Sequence, residues 1–306
     1  MRAAIFHAAH LNQTAAERLS CTRADFAPIP HNAAGCFAIF LGISQVDPSR
    51  ILPLVLVPEC ARIKIYKYRN FSKPTGDDFN RLEALIHRCL VWCARPDTLN
   101  DPQEFKWTCD YSPTSATLGL LTELLIRARG RTRNDAHNIA AVAIKFGRLK
   151  IVTKPVVSDM IEQCRNQIGL TCFGIAPNHE ILWERYAGNG AGVCVELEVP
   201  DELLGTQLHR VQYPTEKRLH IDQLMRAFVD RGHVQEIYDL VLLSKPSTWS
   251  NEQEIRFVSQ VQAVTVAIDR AKVTCVVLGE ALKPDVRARI EQLAAPVLLV
   301  DRGSNT

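Results

Sequence analysis

From residue 61 the chain begins to alternate. Residues 61–69 read ARIKIYKYR, apolar and polar side chains trading places among β-branched and aromatic residues, which predicts a strand. The period then lengthens. Leu82, Leu85 and Ile86 recur at helical spacing behind Asp77 and Asp78, which predicts a helix over 79–87 capped by those aspartates. Residues 90–93 form a short apolar strand. Residues 114–147 hold two or three helices with a break at Gly130, and Ser158 is placed to cap another that runs to about residue 166. The second half is richer in strands, predicted over 168–175, 192–199, 207–213, 252–260, 273–279 and 297–300. Between them fall a helical turn over 178–186, a long helix over 215–243 and a helix opened by Pro284 that closes near Ala294.

These elements predict an α+β fold on a single mixed or mostly antiparallel sheet with helical insertions, the apolar stretch 273–279 lying centrally in it. Residues 1–58 differ: poor in charge, without sustained periodicity, broken by Asp47-Pro48 and Pro53 and closed by Pro58. They read as an N-terminal extension whose order the pattern leaves open, and residues 59–306 as a single α+β domain. The apolar run 36–44 is shorter than the roughly 18 residues a membrane helix needs, so no membrane partner is expected.

Composition changes this picture little. Hydrophobic residues at 47% and charged residues at 23% are those of an ordinary soluble domain. A net charge of +3 is too mild to require nucleic acid or an acidic membrane. The ten cysteines are scattered, without a Cys-x-x-Cys pair or a Cys/His cluster, and read as reduced core thiols of a cytoplasmic protein with no metal site. There is no phosphate-binding P-loop, no His-Glu-x-x-His and no Gly-x-Ser-x-Gly. Gly188-Asn189-Gly190-Ala191-Gly192 imitates a dinucleotide loop but precedes a strand instead of joining a strand to a helix.

Four constellations remain. Tyr66-Lys67-Tyr68-Arg69 ends the first strand; its cations are either solvated or, for Arg69, forked onto a phosphate or carboxylate. Asn100-Asp101-Pro102-Gln103-Glu104 is a turn whose two acids are open to a role. Cys172-Phe173 is followed by Asn178, Trp183, Tyr186 and Gly192, with Trp183 and Tyr186 on one face of a helical turn, either core or a platform for a flat heterocycle. Lys245 and Trp249 lead into Glu252-Gln253-Glu254-Ile255-Arg256-Phe257, whose period-two spacing predicts Glu252, Glu254 and Arg256 on one strand face and Ile255 and Phe257 on the other. Such a face is ordinarily a solvated ion pair of little energetic weight; beside a tryptophan it can also line a cleft that holds a developing positive charge.

In this order the four resemble a widespread bacterial family described as a domain of unknown function. Its motifs are Lys-Tyr-Arg, Asn-Asp-Pro-x-Glu, Cys-Phe-Ser…Asn…Trp…Tyr…Gly and Lys…Trp…Glu-x-Glu-x-Arg. The resemblance spans residues 60–300 and departs at Gly174, where serine is usual. More distantly, an early-strand arginine, a central aromatic element and a late Glu-x-Glu resemble the order of parts in ADP-ribosyltransferases. That likeness implies NAD as substrate, an acceptor macromolecule, and a place in bacterial defence or toxin biology. Arg69 and Tyr68, with Arg256, would hold the nucleotide, and Trp183 or Tyr186 would stack its ring. Glu254 would be catalytic and Glu252 would orient the acceptor. Glu254→Gln is then expected to abolish NAD cleavage and leave the fold intact. Two alternatives stay open: a non-catalytic module that senses or binds a nucleotide or a nucleic-acid end, and a nuclease with Asp101, Glu104, Glu252 and Glu254 around magnesium. If Arg69, Tyr186 and Glu254 line one cleft, the transferase and nucleotide-binding readings survive.

Overall fold

A computed structural model describes residues 61–99, 101 and 105–303. The expected N-terminal extension lies outside them, as do Asn100, Pro102, Gln103 and Glu104. The first half runs β1 (Arg62–Asn70), α1 (Gly76–Arg88), β2 (Leu90–Cys93), β3 (Thr108–Asp110), α2 (Thr117–Arg129), α3 (Arg133–Lys145) and α4 (Leu149–Gln167). Then follow β4 (Gly169–Phe173), α5 (Glu180–Tyr186), β5 (Gly192–Pro200), β6 (Leu208–Arg210), β7 (Arg218–His220), α6 (Ile221–Val229) and α7 (Val234–Leu242). The chain closes with β8 (Ile255–Ser259), β9 (Val264–Ala267), β10 (Lys272–Leu278), α8 (Pro284–Ala294) and β11 (Leu298–Asp301). The fold is α+β.

Among the described residues the strands form four sheets where one was expected. The largest is ordered β1-β5-β10-β11, antiparallel except for the parallel β10–β11 pair. The others are β4-β8-β6 and β2-β9, both antiparallel, and the short parallel pair β3-β7. Single bridges stitch three of them together. Gly174, just past β4, pairs with Tyr66 of β1, and Leu170 of β4 pairs with Ala94 at the end of β2. One edge of β4 is therefore shared between β1 and β2, and the seam between them is where the site lies. β10 is an interior strand of the largest sheet, paired with β5 on one side and β11 on the other, in keeping with its apolar residues at 276–278.

One core lies between the large sheet and α1 and α8, built on Ile65, Leu82, Val195, Val276 and Ile290. A second holds α2, α3, α4, α6 and α7 together through Leu121, Ala140, Leu224 and Leu242. β4 feeds both, Phe173 to the first and Leu170 to the second, so this strand ties the sheet to the helical half.

Several local expectations are corrected. The cap of α1 is Thr75, with Asp78 in the third helical position accepting from the Thr75 backbone N–H at 2.9 Å. Ser158 caps nothing, because α4 already begins at Leu149 and runs through Pro155. The long helix over 215–243 is instead β7, α6 and α7. His220 starts α6 by accepting the Asp222 N–H at 3.1 Å. Asp230 stops it by accepting the Gly232 N–H at 3.0 Å, a local side-chain bond that competes with helix continuation. The glycine run before β5 is a packing device. Gly188 and Gly190 take positive φ (59° and 84°), and a Cβ on Gly279 would come 2.0 Å from the Gly190 carbonyl oxygen.

Candidate functional site

The Glu252–Arg256 segment is not one strand. Ser247–Glu252 winds as a 3-10 helix, Gln253 turns the chain with φ 46°, and β8 begins only at Ile255. Of the three charged residues predicted on one strand face, Arg256 alone lies in the strand. They converge nonetheless, because a buried cation draws them together. Lys245 Nζ is 3.0 Å from Glu252 Oε2 and 2.6 Å from Glu254 Oε2. Arg256 Nε donates to Glu254 Oε1 at 2.7 Å. Glu252 Oε1 accepts from Arg185 Nη1 at 2.9 Å and from the Tyr186 hydroxyl at 3.0 Å. The Tyr213 hydroxyl accepts the Glu254 backbone N–H at 2.8 Å. Trp249 lies under both Lys245 and Arg185, at 5.2 and 4.6 Å from its ring centroid.

Lys245, Glu252, Glu254 and Arg256 are all buried, so these charges survive by pairing. Burial pushes the Glu254 carboxyl up, but the Arg256 and Lys245 cations outweigh it and hold the group at about 2. Burial works against the Lys245 charge, and the Glu254 carboxylate overrides it, so this ammonium sits above its ordinary range. Burial and then the Glu254 charge push the Cys172 thiol up to about 12, so it stays protonated and inert. Burial also raises the Tyr186 phenol, which remains a hydrogen-bond donor.

This network forms one wall of a cavity of about 210 Å³. Arg69 and Tyr68 from β1, Tyr186 from α5, and Glu252, Glu254 and Arg256 all line it. Trp183 does not. It is fully buried, its ring meets Tyr68 edge-on at 5.6 Å, its indole N–H donates to the Pro177 carbonyl at 2.8 Å, and Arg302 caps it at 4.8 Å. A stacking role for Trp183 therefore has no open face; it braces Tyr68. Arg69 reaches Asp78 at 3.5 Å. Asp101 is buried and also lines the cavity, while Glu104 lies outside the described residues.

Two lining groups, Lys67 and Trp92, were given no site role by the sequence. Lys67 lies two residues before Arg69; its Nζ donates to the Cys172 carbonyl at 3.0 Å and sits 5.6 Å from the Phe173 ring centroid. Burial lowers its pKa. The period-two spacing with Arg69 was the signal that could have found it. Trp92 of β2 lines the cavity with Arg81 at 4.1 Å over its ring. Nothing in the sequence distinguishes that tryptophan from a core residue.

The lining carries four cations (Lys67, Arg69, Lys245, Arg256) and three acids (Asp101, Glu252, Glu254), a formal balance of +1. Among the described residues no group of three or more His, Cys, Asp or Glu side chains is arranged to hold a metal ion. No helix among them is long and apolar enough to cross a membrane. Comparison with protein families, with curated proteins and with solved structures finds no match.

Proposed function

We propose that the cavity binds a nucleotide and that NAD is its substrate, cleaved in an ADP-ribosyltransferase-like reaction. The supporting observation is that Arg69, Tyr186 and Glu254, far apart in the chain, line one cavity. In that chemistry the bond from ribose to nicotinamide breaks with positive charge growing on the sugar. Glu254, ionised at any pH well above about 2, is the anion that would face this charge. Each carboxylate oxygen has two lone pairs, so Glu254 can accept a ribose hydroxyl alongside Lys245 and Arg256. Arg69 supplies a forked donor for phosphate, and Tyr186 and Trp92 supply ring faces. Glu252, held on three sides by Lys245, Arg185 and Tyr186, would position the attacking group.

One observation favours a second reading, a binding module without catalysis. Glu254 already has two cations against it, which dilutes the field it could offer an oxocarbenium ion. The nuclease alternative has less support: the two glutamates hold an ammonium between them where magnesium would have to sit. The test is a titration with NAD followed by tryptophan fluorescence, with free nicotinamide measured in the same samples. Saturable binding with nicotinamide release, and weaker binding in Arg69→Ala, is the expected result. Binding without release selects the non-catalytic module, and absence of binding rejects both.

A further inference from the structure

We propose that Lys67 is the anion anchor of the cavity, and that with Arg69 it takes a phosphate-bearing small molecule. The two lysines of the cavity are provided for differently. Lys245 touches two carboxylates, at 3.0 and 2.6 Å. Lys67, in the same wall, has a backbone carbonyl at 3.0 Å and a ring face at 5.6 Å, and among the described residues no carboxylate lies in ion-pair contact with it. Glu254 is the acid whose field reaches it, and that carboxylate is already engaged by Arg256 and Lys245.

A carbonyl cannot neutralise an ammonium. A half-buried cation left in this state, with no carboxylate against it, is stabilised by an anion that enters the cavity. Desolvation by the surrounding wall disfavours the Lys67 charge and lowers its pKa. A ligand phosphate would offset that penalty by pairing with the ammonium. Arg69 extends the subsite, since residues two apart on a strand share a face at a Cα spacing of about 7 Å. Among the described residues its one ion pair is a long contact of 3.5 Å to Asp78, whose carboxylate is engaged by Thr75 through the backbone N–H at 2.9 Å and the hydroxyl at 2.8 Å. The guanidinium therefore keeps donors for a second oxygen of the same anion. The formal +1 of the lining is the charge this anion would offset.

The proposal rests on the cavity being a ligand site and not on glycosyl transfer. Calorimetric titration of the full chain with inorganic pyrophosphate, ADP and adenosine tests it. Pyrophosphate and ADP are expected to bind, and adenosine, which lacks the anion, to bind at least about tenfold more weakly than ADP. Lys67→Met should weaken both anions by about 10- to 100-fold, the range of one charge-assisted hydrogen bond, while Lys67→Arg keeps most of the affinity. Should Lys67→Met fail to fold, Lys67→Gln removes the charge but keeps a donor for the Cys172 carbonyl and reads the same quantity. Wild-type protein that ignores both pyrophosphate and ADP, or an uncharged Lys67 variant that binds them as tightly as wild type, overturns the assignment. The outcomes separate from those above. ADP binding that depends on Lys67, with NAD left intact, removes the transferase and keeps the anchor. Nicotinamide release with affinity indifferent to Lys67 does the reverse.

Discussion

Glu254→Gln is expected to destabilise the fold, and not only to alter chemistry. The substitution keeps the shape of the side chain and removes its charge. What it removes can be sized from the carboxyl itself, held at about 2 against an ordinary 4.5. A difference of about 2.5 units at ~1.4 kcal/mol each is about 3 kcal/mol, and breaking a buried ion pair from one side costs about 3–5 kcal/mol. The two agree because Lys245 and Arg256 would be left buried with less negative charge than they need. The sequence suggested a variant with an intact fold; burial of the whole cluster is why that expectation changes. Urea unfolding followed by tryptophan fluorescence measures the loss, and the melting temperature should fall by roughly 6–12 °C at about 2–4 °C per kcal/mol. Loss of less than about 0.5 kcal/mol, the range of an ordinary surface substitution, would mean that the Lys245–Glu254–Arg256 cluster does not form.

Three other outcomes are expected. Glu254 has a depressed pKa, so its contribution is fully present above pH 4.5 and is lost as pH falls toward 2; wild type and Glu254→Gln should converge in stability across that window in acid titrations. Lys245→Met should be destabilising by about 3–5 kcal/mol, since it leaves Glu252 and Glu254 facing each other; the double variant with Glu254→Gln should lose at least about 1 kcal/mol less than the sum of the singles, and strict additivity would argue against contact. Gly174→Ser should cost about 1–3 kcal/mol by overpacking, because a Cβ there would come 2.5 Å from the Leu182 Cδ1 methyl; a variant as stable as wild type in urea melts would show that Leu182 moves aside freely.

Much of the fold was legible because it rests on local periodicity. The strands at residues 62–70, 192–200 and 272–278 and the helix opened by Pro284 follow from alternation and from a proline suited to a first turn. The errors have local causes as well. Glu252, Glu254 and Arg256 have strand spacing, yet Gln253 takes a left-handed conformation that no period reports, and the three meet because Lys245 pulls two carboxylates onto one ammonium. The helix predicted over 215–243 breaks at residues 230–233, where the Asp230 side chain bonds the backbone instead. The short strands β3, β7 and β9 were missed; β3 and β7 have three residues each, too few to show a period. In the site, the polar residues at Arg69, Tyr186 and Glu254 stood out by type and order, whereas Trp92 and the bracing role of Trp183 depend on which ring face a tertiary neighbour covers. Lys67 was set aside as a solvated cation because a strand end is usually wet; here the bridge from Tyr66 to Gly174 closes β4 over it.

The central claim is that this cavity cleaves NAD, and release of nicotinamide from NAD labelled in that ring tests it most directly. The full chain should release label with saturable kinetics. Glu254→Gln, assayed well below its own melting temperature, should lose at least about 10²-fold in rate, as when a key electrostatic group is removed. No release above the uncatalysed rate from folded wild-type protein, or equal release from Glu254→Gln, would contradict it.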